Sequence, residues 1–297
     1  MFTRNIQHYK AKPFMPWAVI GSQGQLGTEF LDLLGTKAVG LTRAEADLNN
    51  PNHLEQTLTA INPSIIINCA AYNLVDRAED QLDDAFNTNA WGPRNLAVIC
   101  QKYNWPLVHF STDHVFGGAQ LRPWVESDLP APVNAYGLSK LSGEHWIRML
   151  HPVHFIIRTC GLYGNKGRGG KGGNFVSTML KLAASGNPMR VVSDQICNPS
   201  SAREVAKATI SLIANMPPGT YHLANSGTCS WHEFASAIMR IKGFPIEVQP
   251  IDSATFAAKA KRPAFSALGT RWAQASGFPY LSPWEEALKD YLQIPPN

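Results

Sequence analysis

Residues 17–34 constrain the chain more than any other stretch. Trp17-Ala18-Val19-Ile20 is a short apolar run that ends in Gly21-Ser22-Gln23-Gly24-Gln25-Leu26-Gly27. Leu26, Phe30, Leu33 and Leu34 then recur at helical spacing until Gly35 stops the pattern. Strand, glycine turn and helix in direct succession form the local arrangement that holds a pyrophosphate. Glycines let the backbone come close to the phosphates, and a helix N-terminus offers free N–H groups and the positive end of its dipole. The spacing is G-x-x-G-x-x-G, which makes Gly21, Gln23, Gly24, Gln25, Leu26 and Gly27 candidate cofactor contacts.

The pattern then repeats. Residues 38–41 read as a second strand ending in Thr42-Arg43. An acid at that position would hold the ribose 2′-hydroxyl of NAD, whereas a basic residue suits the 2′-phosphate of NADP. Arg43 therefore points to NADPH, with NADH as the alternative, and Asp47 and Leu48 fall where an adenine would lie. Asn50-Pro51 opens a helix through Ile61. Residues 64–71 form a continuous apolar strand whose small end, Ala70-Ala71, leaves room for a ligand. A single helix is expected over residues 80–103, with Phe86, Ala90, Leu96 and Ile99 inward. Residues 106–111 and 154–158 are further strands. Alternating strands and helices with right-handed crossovers predict an α/β fold, a Rossmann-like doubly wound parallel sheet with ligands at the carboxyl ends of its strands. The expected division is an N-terminal extension at 1–15, a dinucleotide-binding domain at 16–165, and a smaller C-terminal α/β domain at 166–297 that binds substrate and returns some segments to the large sheet. Residues 165–173 form a basic glycine-rich loop.

Charge and cysteine usage narrow the partners. The net charge of +4 is small and scattered, so it suits an anionic small molecule and does not argue for nucleic acid. No run approaches the roughly 18 apolar residues that a membrane span needs. The five cysteines have no paired spacing, which predicts free buried thiols, no metal site and a reducing cytoplasm.

Tyr136-Gly137-Leu138-Ser139-Lys140 places a phenol and an ammonium on one face of a helix. A nearby cation lowers a tyrosine pKa from about 10, and such a tyrosine exchanges protons near neutral pH. Thr112 ends the fourth strand at the same sheet edge as the glycine loop and Ala71. Together these features resemble the short-chain dehydrogenase/reductases of the extended type. The stretches 70–79, 111–116, 173–180, 262–266 and 284–288 resemble the dTDP-4-dehydrorhamnose reductase family, and the likeness runs from about Trp17 to Leu292.

That resemblance implies reduction of the C4 ketone of dTDP-4-dehydro-L-rhamnose. Tyr136 would donate the proton, Lys140 would tune Tyr136 and hold the nicotinamide ribose, and Thr112 would polarise the ketone. Ala70, Ala71, Tyr72 and Phe110 join the cofactor contacts, and Thr112, Asp113, Asn174, Phe175 and Arg262 become substrate contacts. A homodimer is a further expectation. The chain departs from the family pattern at His114, where a tyrosine is usual, at Cys160-Gly161, where Ser-Trp is usual, and at residues 196–200. A 4,6-dehydratase would need an acid where His114 stands, and an NAD-retaining epimerase would favour an acid near Arg43. A third alternative is a non-catalytic subunit resembling the regulatory subunit of methionine adenosyltransferase.

Overall fold

The computed structural model describes residues 15–118, 120–164, 173–186 and 188–293. The expected N-terminal extension, through residue 14, and the basic loop at 165–172 lie outside them. Strands and helices are numbered in chain order. The first half runs β1 (Trp17–Ile20), α1 (Gln25–Leu34), β2 (Ala38–Leu41), α2 (Pro51–Ile61), β3 (Ile65–Asn68), α3 (Val75–Ala78), α4 (Leu82–Phe86), α5 (Gly92–Tyr103), β4 (Leu107–Thr112), α6 (Ala135–Leu150) and β5 (His154–Thr159). The second half runs α7 (Phe175–Ala184), β6 (Met189–Val192), β7 (Ile196–Cys197), α8 (Ala202–Asn215), β8 (Gly219–His222), β9 (Cys229–Ser230), α9 (Trp231–Lys242), β10 (Val248–Ile251), α10 (Ser253–Phe256) and α11 (Trp284–Gln293).

The main sheet has six strands in the order β2-β1-β3-β4-β5-β8, and its pairings are parallel. It is the expected doubly wound Rossmann-like sheet. Neighbouring residues of a strand face opposite sides, and here both sides are apolar. Val19, Ile65 and Ile67 pack into one core with Phe30 and α8, while Ala18, Ile20 and Ile66 pack into the other with Leu54 and Leu96. The strand order reverses between β1 and β3, the switch point where open α/β sheets bind ligands. From the second half, β8 returns to the sheet beside β5. α7, β6, α9, β10 and α11 surround a third core that includes Val176, Phe234, Ile238 and Leu288. Among the described residues, no helix is long and apolar enough to cross a membrane.

Two elements differ from the sequence expectation. The strand expected over residues 64–71 ends at Asn68, because the Asn68 side chain accepts the Ala70 N–H at 3.1 Å and turns the chain outward. The single helix expected over residues 80–103 is α4, a wide π turn over Asn87–Trp91, and α5. The π turn faces α6 at Gly143, where an added Cβ would lie 2.2 Å from the Asn89 carbonyl oxygen. From this turn the buried Asn89 side chain clasps the Tyr72 backbone, accepting its N–H at 2.8 Å and donating to its carbonyl at 2.8 Å, and it also donates to Ser139 at 3.0 Å. π turns of this kind are frequent at functional sites.

Candidate active site

The glycine turn is built for close backbone approach. Gly21 has φ +76°, and a Cβ there would stand 2.7 Å from the Ala70 nitrogen. A Cβ on Gly27 would stand 2.3 Å from the Gly21 carbonyl oxygen. Gly24 caps α1 and brings no side chain to satisfy the first-turn N–H groups. Those donors face a ligand site. The adjoining cavity, about 500 Å³, is walled by Gln23, Arg43, Asp47, Leu48, Ala70 and Tyr72, among others. Arg43 is 82% exposed at its rim, 3.7 Å from Asp47. A glycine cradle, uncapped helix N–H groups and a basic residue at the end of β2 fit a dinucleotide with a 2′-phosphate.

A second cavity of about 320 Å³ shares Gly24, Cys69, Ala71 and Asn73 with the first. Gln25, Leu26, Phe110, Thr112, Asp113, Tyr136, Lys140 and Asn174 are among the residues that wall the rest. Local structure sets these positions. Asn134 caps α6 by accepting the Gly137 N–H at 2.7 Å. A Cβ on Gly137 would meet the His114 carbonyl oxygen at 2.2 Å, so this glycine lets α6 press against the turn after β4 and brings Tyr136 to Thr112. The Thr112 hydroxyl donates to Asp113 Oδ1 at 3.0 Å and accepts the His114 N–H at 3.2 Å. Asn174 caps α7 and donates to Gln25 Oε1 at 2.9 Å, which ties the smaller unit to the glycine turn.

The electrostatics correct one expectation. Lys140 does not bring the Tyr136 phenol down: burial pushes it above its usual value, Asp113 adds to the rise, and a hydrogen bond with Thr112 only opposes it. Desolvation dominates because Tyr136 is only 9% exposed. The ammonium is engaged elsewhere, donating to the Phe110 carbonyl at 2.5 Å, and burial lowers Lys140 to about 8.

Two expected substrate contacts lie off the cavity wall. Phe175 packs tilted against Trp231 and stacks on Phe234, at centroid distances of 4.6 and 5.7 Å, against the core of the smaller unit. Arg262 forms a bidentate pair with Asp76 at 2.8 and 2.7 Å. The extended β-to-helix pattern conceals both outcomes, since an aromatic at N1 of a helix and an exposed-looking arginine read alike whether they meet ligand or protein. Cavity residues not expected from the sequence include Cys69, Asn73, Ser111, Thr159, Gly161 and Leu162. Ser111 and Thr159 could have been found from the rule that strand ends line the site. Gly161, where the family pattern puts an aromatic, carries φ +51°, and a Cβ there would meet Trp231 at 3.1 Å and Pro199 at 3.2 Å. All five cysteines are free, with Cys69 half-buried and the others buried. Burial pushes the Cys69, Cys100, Cys160 and Cys197 thiols up. The Cys160 thiol also donates to Asp113 Oδ2 at 3.1 Å.

A parallel sheet with a glycine cradle in its first βα turn, and a threonine, tyrosine and lysine across the adjoining cavity, defines a dinucleotide-binding fold of the short-chain dehydrogenase/reductase kind. More narrowly, the chain belongs to the RmlD substrate binding domain family, which it matches over residues 15–295. It is 38% identical over 280 residues to the spore coat polysaccharide biosynthesis protein SpsK of Bacillus subtilis, covering 93% of this chain and 96% of that protein. It is 34% identical to a dTDP-4-dehydrorhamnose reductase of Mycolicibacterium smegmatis, covering 92% of this chain and 83% of that protein. The crystal structure of dTDP-4-dehydrorhamnose reductase from Bacillus anthracis in complex with NADP superposes with a TM-score of 0.88 at 36% identity, covering 94% of this chain and 98% of that one.

Proposed function

We propose that the protein is an NADPH-dependent oxidoreductase that reduces the C4 ketone of a dTDP-4-dehydro-6-deoxyhexose, with dTDP-4-dehydro-L-rhamnose as substrate and dTDP-L-rhamnose as product. One observation carries the reading: Thr112, Tyr136 and Lys140 meet at a single cavity that opens onto the glycine cradle. The relatives of the family that bear the reductase name support it. An intact set of three does not suit a vestigial pocket, so a purely regulatory subunit is disfavoured. The basic rim residue Arg43 favours NADPH, with NADH the weaker donor.

Each residue has a task that its surroundings suit. Tyr136 donates its phenolic proton to the ketone oxygen; burial and Asp113 keep that proton in place at neutral pH, as a general acid requires. The Thr112 hydroxyl has one hydrogen to give. It now lies on Asp113, and turning it to the ketone oxygen polarises the carbonyl. Lys140 has three N–H donors. One is on the Phe110 carbonyl, which leaves the others for the ribose hydroxyls. The bound cofactor supplies the hydride to C4. Asp113 and Asn174 face the sugar side of the cavity. Gln23, Gly24, Asp47, Leu48, Ala70 and Tyr72 take the adenosine and phosphate side, while Phe175 packs against Trp231 and Phe234 and Arg262 pairs with Asp76.

Three further features complete the reading. The smaller unit, described from residue 173 onward and returning β8 to the large sheet, is mainly a substrate-binding domain for the sugar nucleotide. The protein works in a reducing cytoplasm, in keeping with its free thiols. It forms a homodimer through α5 and α6, where Val98, Leu138 and Met149 are exposed; beside them Trp91 of the π turn packs tilted against Trp146 of α6 at 5.6 Å. Val98→Glu with Leu138→Glu should then yield a monomer in multi-angle light scattering; an unchanged mass would remove this face from the interface. The reaction itself is tested by NADPH consumption in the presence of dTDP-4-dehydro-L-rhamnose, and no consumption at saturating substrate would refute it.

A further inference from the structure

One turn beyond Lys140 on α6 stands Glu144, a carboxylate with no exposure to solvent. Its oxygens accept from Ser111 Oγ at 2.5 Å and from Arg158 Nε and Nη2 at 2.9 and 2.7 Å. The Arg148 guanidinium also pairs with it. Lys140 donates to the carbonyl of Phe110. Phe110 and Ser111 are consecutive in β4, and Ser111 is registered against Arg158 of β5. One turn of α6 is therefore tied to two successive residues of the strand that ends in Thr112, and to the neighbouring strand as well. Buried carboxylates are costly and persist only where their partners are complete; this one has four donors from three elements.

We propose that Glu144 is a positioning residue for the reaction: it is the internal counter-ion of Lys140 and the tie that seats the Tyr136-bearing turn of α6 against Thr112. This rests on the role of Lys140 in the proposed reduction. The groups packed around Lys140 leave Glu144 without a substitute. Cys69, at the end of β3, stays a neutral thiol because burial pushes it up. His109 of β4 stays neutral because burial holds it well below the usual range. Tyr136 on the same helix stays a neutral phenol. Asp113, after β4, is engaged by Thr112 and Cys160. Arg158 of β5 is a like charge. Burial favours loss of the Lys140 proton, and Glu144 heads the groups that oppose that loss.

The test reads Lys140 directly. Protein carrying lysine labelled with carbon-13 at Cε is titrated by NMR without substrate, with the Lys140 signal assigned from Lys140→Arg. The wild-type midpoint should lie at about 8. Glu144→Gln keeps the shape of the side chain and removes its charge, so the midpoint should fall by about one unit or more, and the alkaline limb of kcat/KM should fall with it. Arg158→Gln removes a like charge and should move the midpoint upward. It carries the same test with the opposite sign should Glu144→Gln fail to fold. Midpoints that stay within about 0.3 unit of wild type in the folded variants would overturn the proposal. A shifted midpoint in a protein that never turns over a keto-sugar would instead sink the proposed reaction, while normal turnover with an unmoved midpoint would sink the counter-ion alone.

Discussion

Replacing Gly27 by alanine tests the cradle with a single methyl group. The new Cβ would lie 2.3 Å from the Gly21 carbonyl oxygen and 2.7 Å from Ser22 Cα. Ordinary carbon contacts begin near 3.5 Å, so the loop and α1 must part by roughly 1 Å. Both opposing atoms belong to the backbone, so no flexible side chain can yield. Overpacking of this kind costs about 1–3 kcal/mol, and the better helix propensity of alanine returns up to about 1 kcal/mol. The net loss of stability is therefore small, a few degrees in Tm. The effect on the cofactor should be larger. Charge-assisted hydrogen bonds each contribute about 1.5–3 kcal/mol, and losing the alignment of one raises Kd by roughly 10- to 100-fold. Fluorescence titration of NADPH, beside a melting curve on the same preparation, separates the two effects. A Kd within about twofold of wild type would refute the claim that this turn holds the pyrophosphate.

Three further outcomes follow from the same geometry. Tyr136→Phe should lower kcat by about a hundredfold or more while NADPH affinity holds; a wild-type rate would remove Tyr136 as the proton donor. Arg43→Ala should raise the KM for NADPH more than that for NADH, whereas equal effects would show that Arg43 does not read the 2′-phosphate. For acid stability, burial alone would raise the Glu144 carboxyl, but Arg158, Arg148 and Ser111 overcome it and bring it to about 2. A carboxyl lowered in the folded state contributes stability that is present above its unfolded pKa of about 4.5 and is lost as pH falls toward 2. Urea titrations between pH 5 and about 2 should show that loss in the wild type and a shallower one in Glu144→Gln, and parallel curves would contradict it.

Much of this architecture was legible from residue order. Continuous apolar strands such as Ile65-Ile66-Ile67 can only be buried on both faces, and the glycine turn that follows Ile20 fixes the ligand edge. Thr112, Tyr136 and Lys140 could be placed near that edge because each follows a strand or opens the next helix. The rest depended on contacts distant in sequence. The π turn at Asn87–Trp91 exists because Asn89 reaches Tyr72, 17 residues away. Arg262 is taken by Asp76 across 186 residues, and no local pattern signals such a pair. The upward push on Tyr136 comes from burial, which helical spacing does not report: spacing places Lys140 nearby but says nothing about how much water remains.

The proposed reaction transfers hydride to C4 of a keto-sugar with the proton delivered by Tyr136. It is tested most directly by incubating the protein with dTDP-4-dehydro-L-rhamnose and NADPH deuterated at the nicotinamide C4, followed by NMR of the product. The expected product is dTDP-L-rhamnose with deuterium at C4, formed by the wild type and nearly abolished in Tyr136→Phe. Recovery of unreduced substrate from the wild type, or product without deuterium at C4, would contradict it.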